Sequence, residues 1–213
     1  IANGADIERL RTPVERPAGL PVEIRERNYF LFLGRLVERK GVDLLIEALQ
    51  GSSSASEAHL VIAGSGEQQQ RLKSLVANRG LTNRVHFLGD VSGDLKCFLL
   101  QNSICTVMPS RIAEGASLVL LESFAAGRPV IGTAISGLLE AIRHGETGWL
   151  VPEESSVALA AALSVAIEDR KLIEQMGQTA RHAALRYDWR SIAEQHLALY
   201  ERLLPNPARR IAA

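Results

Sequence analysis

Short apolar runs closed by glycine recur along this chain: YFLFLG at 29–34, HLVIAG at 59–64 and VHFLG at 85–89. Each has the length and unbroken hydrophobicity of a strand buried on both faces, the condition of a parallel sheet covered by helices. Between them the apolar residues change to helical spacing. VDLLIEAL follows the loop RLVERKG, a polar helix runs from about Glu67 to Arg79, and another lies near 94–102. SICTVMPS (103–110) reads as a fourth strand, RPVIGT (128–133) as a fifth and TGWLVP (147–152) as a sixth. Strands that alternate with helices of about 10–15 residues specify βαβ units. From Ser155 onward the pattern is helical only, over about 155–168, 170–186 and 189–204. The expected fold is α/β, a doubly wound parallel sheet of about six strands with a C-terminal helical tail.

Composition narrows the function classes. At 213 residues and 46% hydrophobic the chain buries a substantial core, which excludes disorder. Its 24 basic and 24 acidic residues cancel, so no global field steers nucleic acid or an anionic membrane towards it. Cys97 and Cys105 form neither a metal-ligand spacing nor a disulfide framework, and a reducing, cytoplasmic compartment is expected. No apolar run approaches the ~20 residues of a spanning helix. The opening IANGAD looks like neither a signal peptide nor a translation start, which suggests a fragment.

In doubly wound sheets ligands bind beyond the carboxyl ends of the strands, where helix N-termini present free N–H groups. Three strand-to-helix loops carry suggestive residues. GRLVERKG, Gly34 to Gly41, places Arg35 and Lys40 five apart before a glycine that opens a helix. A planar fork and a point charge can converge on a diphosphate, although Glu38 and Arg39 between them also fit a solvated turn. AGSGEQQQ begins like a dinucleotide loop, but Gln69 stands where the third glycine belongs, so a tight turn is the better explanation. EGASLVLLE places Glu114 and Glu122 eight positions apart around an otherwise uncharged run. Ser117 is suited to cap the helix LVLLESFAAG, which puts Glu114 ahead of it and Glu122 in its second turn. A helix N-terminus can hold phosphate, and a carboxylate on either side would accept hydrogen bonds from flanking hydroxyls. Nucleotide sugars have that layout. Taken singly, Glu114 fits a favourable charge near a helix N-terminus and Glu122 an exposed helix position.

The ordered set GRLVERKG, VHFLGDV, MPS…EGASLVLLESFAAGRPVI and GETGWLVP resembles the C-terminal, donor-binding domain of retaining glycosyltransferases of family 4. The resemblance runs from Asn3 to the last helix and implies a Rossmann-like domain, one half of a GT-B fold. It also implies the catalytic and binding roles. Gly34, Arg35 and Lys40 would meet the diphosphate, and Glu114 the hydroxyls of the transferred sugar. The backbone of Gly115, Ala116, Ser117, Leu118 and Val119 would hold sugar and phosphates, Glu122 the ribose, and main chain near Val91 the base. The substrate would be a UDP-, GDP- or ADP-linked sugar, with no cofactor and no metal. Sugar would pass to an acceptor hydroxyl with retention at the anomeric carbon. The sequence departs from the family where Ala116 and Ser117 replace an aromatic residue and a glycine, and where Ser136-Gly137 replaces a glycine pair.

By the same resemblance, residues 1–186 form the donor domain, 187–213 a crossover helix and tail, and the N-terminal acceptor domain is absent from this chain. The fragment alone is then expected to be inactive. His86 reads as a packed strand residue, His59 and His144 as surface or loop positions, and His182 and His196 as tail-helix positions, none with a catalytic partner. Trp189 is expected to dock the last helix. Two other readings stand beside transfer: an epimerase of the same fold, and a non-catalytic module that binds a nucleotide or a protein partner.

Overall fold

The structure, a computed structural model, describes residues 3–52, 54–55, 57–113 and 117–204. Its six strands are β1 (Tyr29–Leu33), β2 (His59–Ala63), β3 (Val85–Gly89), β4 (Thr106–Met108), β5 (Val130–Thr133) and β6 (Gly148–Val151). They form one sheet in the order β3-β2-β1-β4-β5-β6, with every neighbouring pair parallel. The helices are α1 (Ile7–Arg11), α2 (Val42–Gly51), α3 (Gln69–Asn78), α4 (Gly93–Asn102), α5 (Leu118–Ala125), α6 (Leu138–Ala141), α7 (Ser156–Glu168), α8 (Arg170–Ala184) and α9 (Trp189–Leu203).

The continuous apolar strands serve two cores at once. Alternate side chains of a strand point to opposite faces. Phe30 and Phe32 of β1 therefore pack with Leu45, Ile46 and Leu49 of α2 and Leu159 and Leu163 of α7. Tyr29 and Leu31 pack on the other face with Leu99 of α4, Phe124 of α5 and Ala180 of α8. The Tyr29 hydroxyl donates to the Leu99 carbonyl at 2.8 Å, so the polar end of this buried ring is satisfied.

β4 and β5 are shorter than the apolar runs suggest. The paired segment of β4 starts only at Thr106, because Ser103 still caps α4 and its hydroxyl bonds to the Leu100 carbonyl. Pro109, which has no N–H, follows its last residue. Pro129 likewise precedes β5, and Arg128 turns away to the Gln101 carbonyl. The helical tail begins at Ser156, capped by the Ser155 hydroxyl on the Ala158 N–H. The last helix is tied to the start of the chain. Ala5 N–H donates to Tyr187 O, Trp189 N–H donates to Ala5 O, and the Trp189 ring lies against Gly4, where a β-carbon would stand 2.6 Å from it. Trp189 thus docks the helix as expected, while Leu197, Tyr200 and Leu203 of α9 remain exposed.

Candidate functional site

The sheet order reverses between β1 and β4. Chain connections run outward through β2 on one side and through β5 on the other. Loops leaving the carboxyl ends of β1 and β4 therefore border a crevice at this switch point, the usual ligand position in such sheets. The loop with Arg35 and Lys40 leaves β1, and the segment before α5 leaves β4.

These two loops are fastened to each other. Gly41 closes the short 3₁₀ turn Glu38–Lys40 at φ 63°, and a β-carbon there would stand 2.0 Å from the Pro109 carbonyl oxygen. Only glycine allows both the left-handed turn and that approach. Next to Pro109-Ser110, Arg111 donates its own N–H to Arg39 O and its Nη1 to Glu38 O, both at 2.8 Å. Nη1 and Nη2 also reach the two Asp43 oxygens at 2.8 and 3.2 Å, and Nε reaches Glu154 at 2.7 Å. Burial alone would raise the Asp43 pKa. The Arg111 hydrogen bonds and charge, the Leu44 N–H and Arg71 outweigh it and hold the carboxyl below its ordinary value. Arg111 is one of the residues that sequence reasoning missed.

The second loop, read from the sequence as a tight turn, supports the first. A β-carbon on Gly64 would stand 1.9 Å from Gly34 O, so the two loops lie in backbone contact. Leu36 N–H donates to Ser65 O at 2.7 Å, and the Ser65 hydroxyl bonds both Asp90 oxygens at 2.9 and 2.8 Å. Asp90 is the neighbour of Val91, which is half-buried against the core. Three loops from β1, β2 and β3 are joined in this way.

The expected site residues fall into separate parts of this surface. Arg35 is exposed and lines an open cleft of about 590 Å³ with Glu67, Arg111 and Ile112. Lys40 ends the 3₁₀ turn and is half-buried. Leu118 and Glu122 line a second pocket of about 240 Å³ with Gly93, Lys96 and Trp189. Val119 is half-buried on α5. Glu114, Gly115 and Ala116, between the two pockets in sequence, lie outside the described residues. Ser117 stands at the N-cap position, but its hydroxyl makes no capping hydrogen bond. The first turn of α5 therefore has no cap from the Ser117 side chain.

Glu122 is not the exposed helix position that it resembles when taken singly. Its side chain is 16% exposed, and Oε1 accepts from Lys96 Nζ at 2.6 Å. Oε2 is buried and has no hydrogen-bond partner among the described residues. A buried acceptor without a donor carries a desolvation cost of ~1–3 kcal/mol, which a donor on a ligand would remove.

The histidines fall elsewhere. His59 opens β2 and is not a loop residue, and its Nδ1 lies 3.0 Å from Nε2 of His86 on β3. The two partner each other at the amino ends of the strands, away from the crevice. His144 Nδ1 accepts from Leu150 N–H. Gly137 holds φ 88° at the start of α6, so the glycine retained beside Ser136 is the one the turn requires. Cys97 and Cys105 are free and buried. Among the described residues no three His, Cys, Asp or Glu side chains converge as a metal site, and no helix is long and apolar enough to cross a membrane.

The profile of the family described as "Glycosyl transferases group 1" matches residues 21–183. The chain belongs to this family. It is 34% identical over 203 residues to a phosphatidyl-myo-inositol mannosyltransferase of Mycobacterium leprae (strain TN), covering 94% of this chain and 52% of that protein. It is 38% identical over 154 residues to the D-rhamnosyltransferase WbpZ of Pseudomonas aeruginosa, covering 71% of this chain and 39% of that protein. The chain thus spans about half the length of the curated relatives it matches, or less. Among solved structures, Anabaena Alr3699/HepE superposes with a TM-score of 0.82 at 25% identity, over 94% of this chain and 56% of that one. That protein has been solved in complex with UDP and with UDP-glucose. The C-terminal domain of the group 1 protein LpcC from Francisella tularensis shares the fold, with a TM-score of 0.74 at 24% identity, over 87% of this chain and all of that one. The group 1 domain is therefore a Rossmann-like α/β domain of the kind found in GT-B glycosyltransferases.

Proposed function

We propose that this group 1 domain binds the nucleoside-diphosphate sugar of a retaining, metal-independent family 4 glycosyl transfer. The observation that carries the reading is Glu122, with one oxygen on Lys96 and the other buried without a donor among the described residues. A ribose diol supplies that donor. Arg35 and Lys40, on the loop from β1, take the diphosphate, and the uncapped first turn of α5 adds N–H groups to it. Main chain near Val91 meets the base, and the backbone from Gly115 to Val119 holds the sugar and phosphates. Glu114 takes hydroxyls of the transferred sugar. As the sugar–phosphate bond breaks, negative charge grows on the diphosphate, and cations already in place stabilise it there. A second domain supplies the acceptor hydroxyl and meets the apolar residues exposed on α9, Leu197, Tyr200 and Leu203. Transfer then requires both halves.

Titration with UDP, GDP and ADP against the corresponding nucleosides tests the donor site. Arg35→Ala and Lys40→Ala should each weaken diphosphate binding by ~1.5–3 kcal/mol and leave nucleoside binding nearly unchanged. Glu122→Gln should weaken nucleotide and nucleotide sugar alike, whereas Glu114→Gln should affect only the sugar conjugate. Equal losses for nucleoside and diphosphate in the cation variants would remove the phosphate assignment. No affinity for any of the three diphosphates would favour a partner-binding module.

A further inference from the structure

A basic pocket lies at the opposite end of the sheet from the crevice. Arg27 precedes β1, Arg128 precedes β5, and Arg181 projects from α8; with Glu174 and Gln178 they line a cavity of about 220 Å³. Three arginines and a single carboxylate line it, with Glu26 also within the field of Arg27.

Arg27 is held there against two ordinary preferences. Its backbone sits at φ 60°, and among the described residues only it and Glu154 adopt positive φ without being glycine. That conformation is disfavoured for any residue with a β-carbon and persists only where the surroundings enforce it. Here the turn 25–28 enforces it: Arg27 N–H donates to Asn102 O, and Asn28 Oδ1 takes the Arg25 N–H. The Arg27 side chain is half-buried, yet its guanidinium makes no hydrogen bond or ion pair among the described residues. Burial, with Arg170 adding to it, pulls its pKa below the ordinary arginine value despite Glu174 and Glu26. Arg128 is only 6% exposed, and its Nε and Nη2 both donate to Gln101 O, while Arg181 Nη2 reaches Ala126 O at 3.4 Å. Three arginines against one lining carboxylate leave this cavity with an excess of positive charge, and the half-buried Arg27 guanidinium has no ion pair among the described residues.

We propose that Arg27, Arg128 and Arg181 form a second, phosphate-binding site, separate from the donor crevice, for inorganic phosphate or a compact phosphate monoester. Arginine forks match phosphate geometry, and the cavity is smaller than the ~300–1,000 Å³ that drug-sized ligands need. The adjoining apolar recess between Ile104, Ile167 and Ile173 measures only about 40 Å³. That is far less room than the arginine-lined cavity offers, so the site suits a free anion better than a lipid headgroup.

The test is thermal unfolding and phosphorus NMR titration of this chain in potassium phosphate against potassium chloride at equal ionic strength. Phosphate should raise the melting temperature of the wild type, and Arg35→Ala should keep this response, because the crevice is a different site. Arg27→Gly should melt higher than wild type in chloride, since glycine relieves the backbone and removes the lone charge, yet lose at least about tenfold in phosphate affinity, the equivalent of ~1.4 kcal/mol. Arg181→Ala should weaken phosphate binding, and Glu174→Gln should strengthen it by removing the repelling carboxylate. A wild type indifferent to phosphate, or an Arg27→Gly variant with an unaltered response, would overturn the site. Association only with vesicles of phosphatidylcholine and phosphatidylglycerol, and not with inorganic phosphate, would overturn the free-anion assignment.

Discussion

Arg111 holds both oxygens of Asp43, at 2.8 and 3.2 Å, and so joins the segment that leaves β4 to the first turn of α2. The same guanidinium donates to Glu38 O and Glu154, so three residues from separate segments depend on one side chain. Arg111→Ala should cost ~1.5–3 kcal/mol of stability, because Asp43, only 16% exposed, keeps only the Leu44 N–H and, as its nearest cation, the more distant Arg71 at 3.5 Å. Arg111→Lys should recover little of this, since an ammonium cannot span two carboxylate oxygens. Because the Arg111 bonds hold the 3₁₀ turn that ends in Lys40, diphosphate affinity should fall and nucleoside affinity should not. Denaturant unfolding and nucleotide calorimetry on the same variants measure both.

The sign of the acid dependence follows from the same pair. The folded pKa of Asp43 is depressed, so its contribution is complete above the unfolded value of ~3.9 and is lost as pH falls through the lower folded value. In Arg111→Ala that part of the acid slope should shrink. An unchanged difference between wild type and variant from neutral pH down through the carboxylate range would contradict the pairing.

Gly41→Ala should be damaging, because Gly41 is buried where the loops from β1 and β4 touch. The left-handed backbone at φ 63° costs a residue with a β-carbon ~1–2 kcal/mol, and that carbon would also meet Pro109 O at 2.0 Å. Backbone cannot yield as a flexible side chain can, so the loops from β1 and β4 must separate. Gly80→Ala is the control. It has a similar φ of 68° with nothing within 4 Å, and should show the conformational cost alone. Equal melting temperatures for the two variants would mean that the close approach is not maintained in solution.

Lys96→Met should separate the two sides of the ion pair on the donor pocket. Lys96 is 28% exposed and Glu122 16%, so deletion of the cation leaves a mostly buried carboxylate with neither oxygen paired. A stability loss of ~1–3 kcal/mol is expected, and Glu122→Gln on top of Lys96→Met should restore part of it by removing the stranded charge. A double-mutant cycle by urea unfolding gives the coupling. A coupling of zero would place the pair in solvent-screened surroundings.

The strands could be read from the sequence because both of their faces are buried, which leaves runs such as YFLFL with no polar alternation to confuse them. The candidate loops could be read because cations flank glycines at strand ends. What could not be read were contacts between residues remote in sequence. Arg111 and Asp43 lie 68 positions apart, Ser65 and Asp90 25, and Lys96 and Glu122 26. No local pattern distinguishes these side chains from solvated charges, so Glu122 taken singly read as exposed. Helices α1 and α6, of five and four residues, are too short to show a 3.6-residue period. The strained turn at Arg27 has no sequence signature either, because neither Arg27 nor its neighbours Glu26 and Asn28 is glycine.

The His59–His86 pair makes stability depend on pH near neutrality. Both imidazoles are displaced below their ordinary value, chiefly by burial, with Arg84 acting further on His59 and His59 on His86. One nitrogen of each lies within 3.0 Å of the other, an arrangement that needs one donor and one acceptor and is lost when both rings are protonated. A group whose folded pKa is depressed contributes fully above its unfolded pKa, here ~6.5, and loses that contribution as pH falls through the folded value. Wild type should therefore lose stability as pH falls from about 7 through the unfolded value of ~6.5 and below it, ahead of any carboxylate effect from Asp43, whose ordinary value is ~3.9. Replacement of both histidines by phenylalanine on β2 and β3 keeps aromatic packing in the sheet and removes the titration. Urea unfolding at a series of pH values should show a flatter profile for this double variant over that interval. Parallel profiles would show that the two rings do not titrate in the folded protein as their burial and mutual contact require.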